Sequence, residues 1–102
     1  KSLAPIKIAV LPLMKKEPID NYAREIYEMI QKHTNYAMQY DVTGSIGKRY
    51  RRQDEIGTPF CVTIDFESLE DKKVTVRHRD SMAQDRIAVD NLLSYVNEQM
   101  NK

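Results

Sequence analysis

The chain has little of several things, and each shortage closes a line of function. A single cysteine, Cys61, excludes a disulfide framework and a cysteine-based zinc site. Two histidines, His33 and His78, do not make a histidine-rich metal site. Three glycines and four prolines in 102 residues exclude collagen-like and low-complexity linker sequence. Charge of one sign is scarce too. Sixteen basic residues against fifteen acidic leave a net charge of +1, so bulk charge selects no partner and any nucleic-acid signal has to come from local clustering. No apolar run approaches the roughly 18 residues that span a bilayer, and no signal peptide is visible. The expected setting is therefore cytoplasmic, with no membrane partner. The chain starts at Lys1 without a methionine, and the expectation is a piece of a longer protein.

What is present suits one domain over residues 1–102. Hydrophobic residues make up 41% and charged residues 30%, enough for a core at this length. Residues 6–11 are apolar and β-branched and stop at Pro12, which predicts a buried strand. Pro18 suits a helix first turn, and Ile19, Ala23, Ile26 and Ile30 follow at helical spacing, predicting an amphipathic helix that ends near residues 33–35. Residues 36–40 read as a second strand. Ser45 is placed to cap a second helix and Gly57 to close it. Residues 60–66 alternate, with Phe60, Val62, Ile64 and Phe66 on one face and Cys61, Thr63 and Asp65 on the other. A polar loop over 67–72 leads to a strand over 74–78. Residues 83–88 suit either a fifth strand, with Asp90 the cap of a last helix carrying Leu92, Leu93, Val96 and Met100, or a helix that begins as early as Ser81. The order β-α-β-α-β-β-β-α predicts a three-layer α/β domain. Its opening units should be parallel with right-handed crossovers, and its closing strands antiparallel.

One segment concentrates the charge. At 100° per residue, the second helix puts Ile46, Tyr50 and Gln53 toward the sheet and Lys48, Arg51, Arg52 and Glu55 on the opposite arc, with Arg49 and Ile56 at the border. One reading is a solvated face with Arg51 and Glu55 paired at i, i+4. The other is a polyanion-contacting helix, with guanidiniums on phosphates or flat on unstacked bases. Arg77, His78 and Arg79 form a second basic group, in which strand alternation sets His78 opposite the two arginines. The two groups frame one groove if the helix and that strand end converge. Other chemistries fail on spacing. The Gly44-to-Lys48 turn is too short for a phosphate loop and has Arg49 where a Ser or Thr metal ligand belongs, leaving at most an anion-binding turn. Cys61 beside Phe60 and Val62 reads as a buried inert thiol, and His33 as a helix-end group. Asp54, Glu55 and Asp65 read as partners for neighbouring arginines, and the tyrosines as core or boundary residues. No catalytic constellation, cofactor site or metal site survives.

The same residues carry a family resemblance. GSIGKRYRRQDEIG at 44–57, followed by TPFCVTIDF at 58–66, closely resembles the C-terminal anticodon-binding domain of glycyl-tRNA synthetase in its homodimeric class II form. VTVRHRDSM at 74–82 matches a further stretch of that domain, where the family usually has Asp in place of His78. APIKIAVLPL at 4–13 matches its first strand. The resemblance covers nearly the whole chain. It implies a five-stranded mixed sheet flanked by three helices, as in class IIa synthetases, and a parent enzyme that joins glycine to tRNA with ATP and Mg²⁺. It also implies partners: the tRNA(Gly) anticodon loop, the parent's catalytic domain, and a second parent subunit. Glycine anticodons end in two cytosines, whose amino group needs a carboxylate acceptor and whose ring nitrogen and carbonyl need donors. The resemblance thus implies Arg49, Arg52, Glu55, Arg77, Arg79 and Asp80 near the bases and Lys48 and Arg51 on phosphate. The alternative is a related module used for protein interaction or nucleic-acid processivity, as in a mitochondrial polymerase accessory subunit.

Overall fold

A computed structural model describes residues 5–102; residues 1–4, including the first position of the match at 4–13, lie outside it. The elements are β1 (Ile8–Pro12), α1 (Ile19–His33), β2 (Met38–Tyr40), α2 (Ile46–Ile56), β3 (Phe60–Ile64), α3 (Phe66–Asp71), β4 (Lys73–His78), β5 (Gln84–Ala88) and α4 (Val89–Met100). The sheet runs β2-β1-β3-β4-β5. β2, β1 and β3 are parallel, as the βαβ order requires, while β3, β4 and β5 are antiparallel and joined by short connections.

The apolar pattern explains which helix covers which side. Ile19, Ala23, Ile26 and Ile30 form the buried stripe of α1. They join Leu92 and Val96 of α4 over Ile8, Val10, Phe60, Val62, Ile64, Val74 and Val76 in one continuous core. Alternation turns the intervening residues to the opposite side. There Ala9, Leu11 and Cys61 meet Ile46 and Tyr50 of α2 in a much smaller cluster. α2 starts where Ser45 accepts a hydrogen bond from the Lys48 N–H and stops at Gly57, whose φ of 86° supplies the left-handed turn that closes the helix.

The structure departs from expectation at two joints. Phe66–Asp71 form the short helix α3 where a loop over 67–72 was expected, so among the described residues four helices accompany the sheet rather than three. Asp65 accepts from the Ser68 N–H while Ser68 Oγ accepts from the Asp65 N–H, a reciprocal cap that ends β3 at Ile64. Phe66 therefore leaves the strand and is exposed. α4 is not capped by Asp90. The Val89 N–H donates to Lys72 O, so β5 runs straight into the helix, and Asp90 stands in its first turn as a favourable charge. At the two ends of the sheet lie β2, only three residues long, and β5, which carries Asp85 and Arg86.

Candidate nucleic-acid interface

α2 rests on the sheet through polar groups more than through apolar ones. Gln53 is fully buried; its amide donates to Gln39 Oε1 and Asp41 Oδ2, each at 2.9 Å, and its carbonyl oxygen accepts from Thr58 Oγ1 at 2.8 Å. The Tyr50 hydroxyl is hydrogen-bonded to Thr63 Oγ1. Such groups belong under a helix only when each has a partner, and among the described residues no buried side-chain nitrogen or oxygen lacks one.

Two aspartates organise the arginines. Asp41, at the end of β2, accepts from Arg52 Nη1 with both oxygens, at 2.6 and 2.7 Å, and from the Thr43 N–H. Burial pushes the Asp41 carboxyl up, but the hydrogen bonds from Gln53 and Arg52 outweigh it and hold the group below the usual carboxylate range. Asp54, near the end of α2, takes a bidentate pair from Arg77 on β4, at 2.8 and 3.0 Å. The Arg77 pair lowers the Asp54 carboxyl and in turn raises the guanidinium. Arg77 also lies over the Tyr50 ring, 4.9 Å from its centroid. The Asp54 backbone carbonyl accepts from Arg79 Nε at 2.9 Å. The last turn of α2 and the tip of β4 therefore meet on one side of the molecule, joined through one residue.

The arginines divide into two kinds. Arg49 is buried and donates to the carbonyls of Gly44, Pro12, Asp41 and Leu13, stapling the exits of β1 and β2. Burial lowers its pKa, as expected for a desolvated cation. Arg77 is buried as well, 7% exposed. The helix phase that set Arg49 at the border misjudged its depth, because its partners come from two loops that periodicity does not see. Lys48, Arg51, Glu55, Arg79 and Asp80 are exposed, and Arg52 is half-buried. Among the described residues no ion pair joins Arg51 to Glu55. Asp80 lies 3.6 Å from Arg79 Nη1. His78 turns to the other face, edge-on to Phe60, and its Nε2 is 2.6 Å from the Tyr95 hydroxyl. Asp65 pairs with Arg86 rather than with the arginines of α2. Burial pushes the Cys61 thiol up to about 12, which removes it as a nucleophile at neutral pH. Asp41 was not anticipated as an anchor; the only trace it leaves in the sequence is an acidic residue directly after a short strand.

α2, with Lys48 and Arg51 exposed, thus lies beside the tip of β4 on a mixed sheet. Residues 7–99 fit the family described as "Anticodon binding domain", and the chain belongs to that family. Two close relatives carry the same name. The chain is 58% identical over 99 residues to "Glycine--tRNA ligase" of Alkaliphilus oremlandii. It is 65% identical over 94 residues to "Glycine--tRNA ligase" of Acetivibrio thermocellus. These matches take in 97% and 92% of this chain but 21% and 20% of those proteins, so the chain spans about a fifth of their length. In structure it is similar to the RNA-binding domain of threonyl-tRNA synthetase from Cryptosporidium parvum Iowa II. The TM-score is 0.81 at 23% identity, over 92% of this chain and 23% of that one, a likeness of fold.

Proposed function

We propose that this chain is the anticodon-reading domain of a glycine–tRNA ligase, and that it grips the tRNA(Gly) anticodon loop with the outer face of α2 and the tip of β4. The observation that carries the reading is the junction at Asp54. There a helix presenting Lys48, Arg51 and Glu55, with Arg52 held against Asp41 and the Thr43 carbonyl, is fixed to a strand end presenting Arg79 and Asp80. Loop bases, splayed from their stack, would find carboxylate acceptors and guanidinium donors side by side, the pair that a cytosine edge needs. Lys48 and Arg51, exposed along the helix, suit phosphates. Arg49 and Arg77 support the surface from beneath.

The domain's share of the reaction is binding energy, orientation and choice of tRNA. ATP and Mg²⁺ belong with the rest of the parent enzyme, which we expect to be a cytoplasmic homodimer whose catalytic domain packs against this one. The residues here do not suit them: among the described residues no three His, Cys, Asp or Glu side chains gather where they could hold a metal ion, and the Gly44-to-Lys48 turn lacks the spacing of a phosphate loop.

The test is a titration of the parent ligase with a tRNA(Gly) transcript and with one whose two anticodon cytosines are replaced. The expected result is weaker binding of the altered transcript, by about 1–3 kcal/mol per base on the scale of direct readout. Equal affinity would remove the anticodon reading and favour a module for protein interaction or processivity.

A further inference from the structure

We infer that Asp54 is the positioning residue of this surface, setting base discrimination through Arg77 and Arg79 rather than by touching RNA. The inference rests on the anticodon reading above. Asp54 uses its two kinds of acceptor on two different arginines of the same strand tip. Its carboxylate holds both terminal nitrogens of Arg77, and its backbone carbonyl holds Nε of Arg79. The Arg79 N–H also donates to Pro59 O, which ties the tip to the start of β3.

Arg77 is clamped on several sides: Asp54 at the end of the guanidinium, the Tyr50 ring centroid 4.9 Å from Cζ, and Met82 Sδ 3.3 Å from Nη2. A planar group held this way has one orientation, and so does the strand tip that carries Arg79 and Asp80 out to solvent. Arg79 is exposed, and its Nε bond to α2 fixes where its outer nitrogens point. Recognition of a base edge tolerates errors of well under an ångström, whereas attraction to a phosphate needs only a cation nearby. Freeing the tip should therefore cost discrimination and leave general RNA affinity nearly intact.

The experiment uses the full parent ligase with the two transcripts described above. Asp54→Asn keeps the shape of the side chain but removes its charge and one acceptor. The expected result is a fall in the affinity ratio between the two transcripts by about tenfold, with binding of the altered transcript little changed. Asp54→Glu, which keeps the charge, should recover part of the ratio. A merely structural role would not do this, since partial unfolding lowers the active fraction for both RNAs alike and leaves their ratio unmoved. Arg77→Lys should match Asp54→Asn, because lysine keeps the charge but cannot make the bidentate pair, and it decides the matter should Asp54→Asn fail to fold. A wild-type ratio in folded Asp54→Asn or Arg77→Lys would overturn the inference alone. No discrimination in the wild-type parent would overturn the anticodon reading itself.

Discussion

The two faces of the sheet are held by different physics. On the side of α1 and α4, a core that includes Ile8, Val10, Ile30, Val62, Ile64 and Leu92 has no exposed surface, and the stabilisation is non-directional. On the side of α2, among the described residues, a small cluster of Ala9, Leu11 and Cys61 faces Ile46 and Tyr50, and most of the attachment runs through Arg49, Gln53, Asp41, Asp54 and Tyr50. Apolar packing accepts small shifts in helix position. A set of hydrogen bonds and bidentate ion pairs does not, because each weakens steeply with angle. The face that carries the exposed Lys48 and Arg51 is therefore the one held by directional contacts rather than by apolar burial.

The comparison can be broken most forcefully on the apolar side. Ile30→Ala, at a position with no exposure, should cost about 2–5 kcal/mol of unfolding free energy in a denaturant titration. The ratio of affinities for the two transcripts should stay unchanged. Arg49→Met comes next. It deprives four carbonyl oxygens of a buried donor and should cost about 1–3 kcal/mol, again without altering discrimination. Loss of discrimination with an unchanged melting temperature would instead return Arg49 to the base-reading set.

Acid sharpens the contrast further. Asp41 and Asp54 both have carboxyls lowered in the fold. A depressed pKa contributes stability above the unfolded value and loses it as pH falls through the folded one. Stability should decline below about pH 4, and Asp54→Asn should make that decline shallower relative to the variant's own neutral-pH stability. The smallest effect belongs to the exposed cations. Arg51→Ala should leave the melting temperature within error, weaken binding of both transcripts alike, and reduce the slope of log affinity against log salt by about 0.7.

Much of the fold was legible in the sequence because it depends on local pattern. The stripe Ile19, Ala23, Ile26, Ile30 gave α1, and Ser45 and Gly57 bracketed α2 at the residues observed. The order of elements gave the change from parallel to antiparallel pairing. α3 was missed because alternation through Phe66 hid a cap that only Asp65 and Ser68 together create. At the site, the convergence of α2 with the tip of β4 was posed only as a condition, and the depth of Arg49 and Arg77 was not foreseen. A guanidinium is buried only where acceptors converge, and here they come from positions 12, 13, 41, 44 and 54, drawn from separate stretches of the chain.

The margins of the sheet bear on how such a domain survives at high concentration. A strand with one free side is a template for a neighbour's backbone, and repeated copying of that pairing builds fibres. β2 offers only three residues for such copying, and β5 sets Asp85 and Arg86 in its middle before the chain turns into α4. Both borders are thus poor seeds for the stacking of one copy on another.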